Sequence, residues 1–552
     1  MIKDRLKELL VQALEAARVD GVLQTEGLPD VALERPKRRE HGDWATNVAL
    51  QAARVGGNPR EIAQGIVDRL PPSPLVARVE IAGPGFLNFR LSQEWLSDVV
   101  RRAADDSVPF GRSGTGAGTN VNVEYVSANP TGPVNIVSGR HAAIGDAIAN
   151  LLEATGHGVT REFYINDAGR QMRLFGESLA ARYLQQLGRD AELPEDGYRG
   201  EYLIDMAARI VAEHGDRYAG LPADERNATL GRLGLAISIE GVKTSLERFG
   251  TRFDVWFSEA ALHDEGAVER AVDNLKSKGL IEERDGALWF KTTQFGDDRD
   301  RVIVRSDGVP TYLAADVAYM GNKFSRGFSR LIYLLGADHH GTLPRLRATA
   351  EALGHGRDKV EFPLVQVVTI KRGGRALKGS KRAGVIELLD DLVEEVGADA
   401  VRYTFLTRSI DSPLEFDVEL VKEQAPENPV YYVQYAHARI CSILRKANEE
   451  GASYDPASAP LDLLVHPSED DLIRKLAAYE EAVPEAAFAR APQKLTRYLE
   501  ELATSFSAFY RDCKVIGSDA GMTAARLSLC SATRRVLADG LGIAGVSAPE
   551  RM

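Results

Sequence analysis

The sequence predicts an α/β protein in three parts: a parallel-sheet domain with a helical insertion, a small α+β domain before it and an all-α bundle after it. Three observations carry this. Between Asn120 and Gln171 an alternating strand, a proline-broken turn, a helix and a second strand follow one another, which is a βαβ unit. Strand signals recur as far as the run ending at Ile370 and vanish beyond about Pro426. The chain has 552 residues, too many for one core. The expected boundaries are 1–110, 111–425 with the insertion at about 171–285, and 426–552.

In order, Ile2 to Val19 has helical apolar spacing, and a basic run from Arg35 to Arg39 follows it. VARVEIAGPGFLNFRLS then reads as two strands about a turn at Gly83-Pro84-Gly85. The glycine-rich stretch Gly111 to Thr119 lacks a following Lys-Ser or Lys-Thr and precedes a strand, so it is a linker. In the βαβ unit Val121, Val123 and Tyr125 alternate with polar residues. Pro130, Gly132 and Pro133 then exclude regular structure, and a helix runs to a stop at Gly156. Gln171 to about Gly250 is helical. Strands are expected at Ala287–Lys291, Val302–Arg305, Leu331–Leu335 and Pro363–Ile370, and four helical segments fill the C-terminal part.

Composition narrows the class. Hydrophobic residues make up 44% and charged residues 27%, ordinary for globular protein, and no apolar run is long enough to span a bilayer. Three distant cysteines with no CxxC pair exclude a disulfide framework and a cysteine zinc site, and suit the cytoplasm. The net charge of −12 does not exclude a nucleic-acid partner, because basic groups gathered on one face can still bind phosphate.

Polar loops after successive parallel strands converge on one crevice. The turn at Asn129 to Gly139 aims helix N–H groups there, and the basic loop with Lys378, Ser380, Lys381 and Arg382 suits a polyphosphate. Glu124, Asp316 and Asp338 lie at or near expected strand ends, with Tyr312 one helical turn before Asp316. Such carboxylates either cap helices and bridge to local arginines or hold a cation, a guanidinium fitting best because its fork accepts bidentate partners. His339 and His340 are adjacent, so ligation of one metal is disfavoured against hydrogen bonding to a nucleotide or to the loop.

The strings SANPTGP, GDAIANLLEATG, YINDAGRQ, GVPTYLAADVAY, YLLGADHHG, GSKRAG, GADAVRY and NPVYYVQYAHARI resemble the arginyl-tRNA synthetases. HGDWATNVAL, GPGFLNF and the closing APERM are similar to the same family, so the resemblance spans nearly the whole chain. It implies a Rossmann-like class I catalytic domain, an N-terminal domain that touches the tRNA elbow and a helical anticodon-binding domain. It implies ATP with Mg2+, L-arginine and tRNA(Arg) as ligands, no membrane, a monomer and a cytoplasmic location. Position by position, Glu124, Ser127, Asn129, Tyr312 and Asp316 would hold arginine. Pro133, Val137, Gly139, Asp338, His339 and His340 would line the ATP site. Lys378, Ser380 and Lys381 would form the loop that closes on the triphosphate, with Gly379 and Arg382 departing from its usual residues. Trp44, Asn47, Tyr431, Gln434, Tyr435 and Arg439 would meet the tRNA.

The chain departs from the family at one point. Where the family has His-x-Gly-His, these four positions read Asn135-Ile136-Val137-Ser138. Asn135 and Ser138 can still donate hydrogen bonds but cannot carry a histidine's charge. Val137 adds bulk where the family's glycine lets adenine lie on the backbone. Two readings follow: an active enzyme whose site has adapted, with Asn135 and Ser138 as catalytic donors, or a relative that binds tRNA without efficient adenylation. The match of the arginine pocket, the basic loop and both flanking domains favours the first. A nucleotidyltransferase with a small-molecule acceptor would have no use for the two flanking domains.

Overall fold

The alternation of Val121 and Val123 with Asn122 and Glu124 builds the central strand of the molecule, β1 (Asn120–Glu124). The computed structural model describes residues 2–25, 27–36, 38–127, 129–376, 387–517 and 519–552. β1 stands in a five-stranded sheet with β2 (Gly158–Ile165), β3 (Val255–Ser258), β4 (Arg330–Tyr333) and β5 (Val360–Glu361), in the order β5-β4-β1-β2-β3. All four pairings are parallel. The chain leaves β1 toward one edge and returns at β4 on its other side. The carboxyl ends of β1 and β4 therefore flank the switch point at which open parallel sheets bind ligands.

Helix α1 (Ile136–Ala154) is buried along nearly its whole length, between the sheet and the C-terminal helices. Gly145 permits this, because a Cβ there would lie 2.2 Å from Cγ of Tyr125. On the sheet face that carries Glu124 lies α2 (Tyr312–Ser325), whose residues Asp316, Tyr319 and Lys323 share one stripe at helical spacing.

The insertion consists of helices Gly169–Gln186, Tyr202–His214 and Ala223–Arg248, with a core of their own around Phe175, Tyr183, Leu203 and Leu230. It is shorter than the sequence indicates, since β3 falls inside the stretch assigned to it and is an edge strand of the main sheet. Four half-buried residues give too short a pattern to read. The strands expected near Ala287 and Val302 lie outside the main sheet, in an antiparallel sheet with Ile281–Arg284. Val368–Arg372 pairs with Arg375–Ala376 and Leu414–Asp417.

The N-terminal part carries helix Ile2–Val19 and a three-stranded antiparallel sheet. The C-terminal part is a bundle of Pro429–Glu449, Pro467–Ala477, Tyr479–Ala489, Pro492–Asp512 and Ala520–Ile543. These two ends of the chain touch. Arg35 pairs with Glu481 at 2.7 Å, Arg102 with Glu480 at 2.7 Å, and Arg474 with Asp43. Among the described residues no helix is long and apolar enough to cross a membrane.

Candidate active site

Glu124 ends β1 directly opposite Glu162 of β2 and Tyr333 of β4. Two carboxylates side by side on adjacent strands repel unless a cation intervenes. Lys323 is that cation. Fully buried, its Nζ donates to Glu124 Oε2 at 2.6 Å and lies 4.0 Å from Glu162 Oε1, and it sits over the rings of Tyr319 and Tyr333 at 4.4 and 4.0 Å. Glu162 also accepts from Tyr319 Oη at 2.6 Å, Asn122 Nδ2 at 2.8 Å and Arg326 at 2.9 Å. Burial alone would push Glu162 up, but Lys323, Arg326 and Tyr319 hold it below the usual carboxylate range.

Beyond β1 the backbone turns through two left-handed residues, Val126 at φ 69° and Ser127 at φ 39°. Such positions cost about 1–3 kcal/mol each where no glycine stands, and a β-branched residue is worst placed in them. Ser127 is pinned from both sides, donating to Glu124 Oε1 at 3.1 Å and accepting the Tyr164 N–H at 3.2 Å. Asn129, exposed, accepts from Asn166 at 3.3 Å.

Across this turn Asp316 faces Glu259, the first residue after β3, and Glu124. Burial pushes the Asp316 carboxyl up to about 7; Arg345 draws it back, while Glu259 and Glu124 add to the rise. Burial likewise raises Glu259, against a hydrogen bond from Tyr164. Among the described residues neither Asp316 nor Glu259 has an ion-pair partner within 4.0 Å. Tyr312 is 66% exposed beside them. This pocket is acidic, Arg345 being the cation that acts on Asp316 from outside ion-pair distance. Its Glu259 escaped sequence reasoning because β3 did. The available signal was Ser258 capping a helix straight after an aromatic strand.

On the other side of the turn stands the N-terminus of α1. Asn135 is its N-cap, its side chain accepting the Ser138 N–H at 2.9 Å. Ser138 is 9% exposed, whereas Val137 is 43% exposed and Pro133 is open to solvent. Gly139 is buried, and a Cβ there would lie 2.6 Å from Cδ1 of Leu389, so it serves close helix packing. Arg140, fully buried, donates to the carbonyls of Gln366, Val367, Ser409 and Ser412 at 2.7–3.2 Å, and burial pushes it down to about 10. His141 is 7% exposed, and burial first, then Arg140, push it down to about 4. It is therefore a neutral imidazole near Asp338 and His339. Those two and His340 are exposed on the short turn Ala337–Thr342 after β4. The basic-loop residues Lys378, Ser380 and Lys381, with Gly379 and Arg382, expected to close on a triphosphate, lie outside the described residues.

Of the residues expected to meet RNA, two are corrected. Trp44 is 2% exposed, its ring in the N-terminal core beneath Arg35 at 4.7 Å, so no base can reach it. Gln434 is 8% exposed and spends its amide on Asp399 at 2.9 Å and the Ser547 carbonyl at 2.9 Å. Tyr431 and Tyr435 stack at 5.8 Å, and the Arg439 guanidinium lies over Tyr435 at 5.0 Å and Tyr510 at 5.6 Å. Tyr510, half-exposed and on another helix, joins this face without a sequence signal. Asn47 is exposed and accepts from Gln51 at 2.7 Å.

Three family profiles match the chain: "Arginyl tRNA synthetase N terminal domain" over residues 4–91, "tRNA synthetases class I (R), catalytic domain" over 111–405 and "DALR anticodon binding domain" over 433–552. The arginine–tRNA ligase of Moorella thermoacetica is 49% identical, over 100% of this chain and 99% of its own. That of Carboxydothermus hydrogenoformans is 47% identical over 97% of each. The solved arginyl-tRNA synthetase of Thermus thermophilus superposes with a TM-score of 0.79 at 25% identity, with 100% of both chains covered.

Proposed function

Since the chain belongs to the arginyl-tRNA synthetase family, we infer that it is an arginine–tRNA ligase. It joins L-arginine to tRNA(Arg) with ATP, releasing AMP and pyrophosphate. The observation that carries this reading is the pair of buried carboxylates Asp316 and Glu259, without an ion-pair partner among the described residues, beside the end of β1. A guanidinium suits these two carboxylates, and an anion suits the helix end next to them.

In the first step the arginine carboxylate attacks the α-phosphorus, a new P–O bond forms, and the bond to pyrophosphate breaks. In the second a ribose hydroxyl of the tRNA attacks the arginyl carbonyl and AMP leaves. Asp316 and Glu259 take the guanidinium, with Tyr312 over the pocket mouth. Ser127 and Asn129 meet the α-amino end. The backbone N–H groups of α1 and the Nδ2 of Asn135 face the phosphates, the Oδ1 being occupied by the cap. Lys378, Ser380 and Lys381 close on the triphosphate. Asp338, His339 and His340 flank the nucleoside. Tyr435, Arg439 and Tyr510 offer a stacking face to unpaired bases. Magnesium accompanies the triphosphate. Among the described residues no group of three metal-binding side chains would hold it, and no step here runs through it. The chain is read as a cytoplasmic monomer.

Arginine-dependent ATP–pyrophosphate exchange, with and without cognate tRNA and followed by direct charging, tests the reading. Exchange and charging support it. Retained tRNA binding with no exchange in either condition establishes the alternative, a chain that holds tRNA without adenylation.

A further inference from the structure

The Val126–Ser127 turn is unfavourable by itself, and Asn129 stands two residues after it in the chain. It is held by an unbroken series of contacts that starts in the interior. Lys323 Nζ donates to Glu124 Oε2 at 2.6 Å, Glu124 Oε1 accepts from Ser127 Oγ at 3.1 Å, and Ser127 Oγ accepts the Tyr164 N–H at 3.2 Å. Lys323 has no exposed atom on its side chain, so it reaches no ligand itself. Its freedom is small, with Tyr319 and Tyr333 on its flanks and Glu162 4.0 Å away. The charges around it balance, since Glu124 and Glu162 face Lys323 and Arg326. Glu124 is thereby committed inward, and the surplus negative charge of the pocket belongs to Asp316 and Glu259.

We propose that Lys323 is a positioning residue for amino-acid binding: through Glu124 it locks the left-handed Val126–Ser127 turn and so places Ser127 and Asn129 against the arginine. The assignment rests on the arginine–tRNA ligase reading. It divides the pocket into a neutralised, orienting half at the end of β1 and a charged, selecting half on α2 and after β3. The ATP side, built on α1 and the Ala337–Thr342 turn, is outside the series.

The test is Lys323→Met, which fits between the two tyrosines without the charge, and Lys323→Arg, which keeps it. Steady-state exchange is measured with arginine and ATP varied separately. The expected result for Lys323→Met is an arginine KM raised about tenfold, the effect of one lost charge-assisted contact, with the ATP KM within about twofold of wild type. Lys323→Arg is expected to recover most of the difference. Both KM values rising together, or an unchanged arginine KM, would overturn the proposal, because a merely structural lysine weakens every function alike. If Lys323→Met loses its helical circular dichroism, Lys323→Gln, which removes the charge and keeps a weaker N–H donor, takes its place: a severalfold rise in the arginine KM with the ATP KM unchanged supports the proposal, and an unchanged arginine KM or both KM values rising together overturns it. Calorimetry separates the two levels of inference. A wild-type chain that takes up no arginine overturns the functional reading and this one with it. Equal uptake by wild type and variant overturns this one alone.

Discussion

Asn135 and Ser138 are bonded to each other: the side-chain oxygen of the first accepts the backbone N–H of the second at 2.9 Å. The first and last positions of the four-residue stretch that departs from the family thus form the cap of α1, and Ser138 is closed in by its neighbours. Exchanging these residues for the family's is not a local repair. The variant Asn135→His, Val137→Gly, Ser138→His is expected to lose the cap, about 1 kcal/mol, and to crowd an imidazole into a site that holds a hydroxymethyl group. Chemical denaturation should show a lowered midpoint, and pyrophosphate exchange no gain. A large gain in exchange would mean that the native residues impair the site.

Asp316 ties arginine binding to protons. Burial pushes its carboxyl up to about 7, into the neutral range, and a bound guanidinium favours the charged form. Arginine affinity should rise from pH 6 to pH 8 and then level, with proton release near neutrality. Calorimetry in two buffers of different ionisation enthalpy reads this directly.

The same carboxyl affects stability in a definite direction. Its folded value lies above its ordinary 3.8, so its contribution is complete below about 4 and is lost as pH rises toward 7. Asp316→Asn should therefore be more stable than wild type at pH 8, by about 1–2 kcal/mol once solvent at the pocket mouth is allowed for, and equal to it at pH 4. Its arginine KM should rise by about tenfold or more.

His141 acts in the opposite direction. Its folded value of about 4 lies below its ordinary 6.5, so the unfolded chain takes up the proton first and stability falls as pH drops from 6.5 toward 4. The loss amounts to at most about 3 kcal/mol. In His141→Gln that part of the acid limb should flatten, and the wild-type imidazole should stay neutral by NMR at pH 6.

On the C-terminal bundle, Tyr435→Ala and Arg439→Ala should each weaken tRNA binding roughly tenfold, the scale of one lost base-stacking contact. Tyr510→Ala should do the same, while Gln434→Ala should lower thermal stability and leave affinity for folded protein unchanged. Filter binding at one fixed salt concentration, beside thermal melts, distinguishes the two classes.

What the sequence disclosed follows from what each signal depends on. The βαβ unit, the helix Ile2–Val19 and the turn at Gly83-Pro84-Gly85 rest on local periodicity and punctuation, and they stand as read. Glu124 was legible as a carboxylate at a strand end; Asp316 was expected at or near one too, but it lies in the second turn of α2, and it reaches the pocket through helical spacing from Tyr312. Glu259 was not legible, because an edge strand of four residues leaves no period to count. Lys323 was invisible for another reason. A lysine on a helix normally reads as solvent-facing, and only the pairing of Glu124 with Glu162 across two strands calls it inside. Trp44 and Gln434 were misread toward RNA because residue type suggests contact, while exposure depends on tertiary packing.

The arginine contacts that join the two ends of the chain have a consequence for span. The pairs of Arg35 with Glu481, Arg102 with Glu480 and Arg474 with Asp43 bind the N-terminal part to the C-terminal bundle, bypassing the linker at Gly111 to Thr119. The protein is in effect a closed caliper. The spacing between the N-terminal part and the aromatic face of the bundle is therefore set by folded protein and not by the length of the linker.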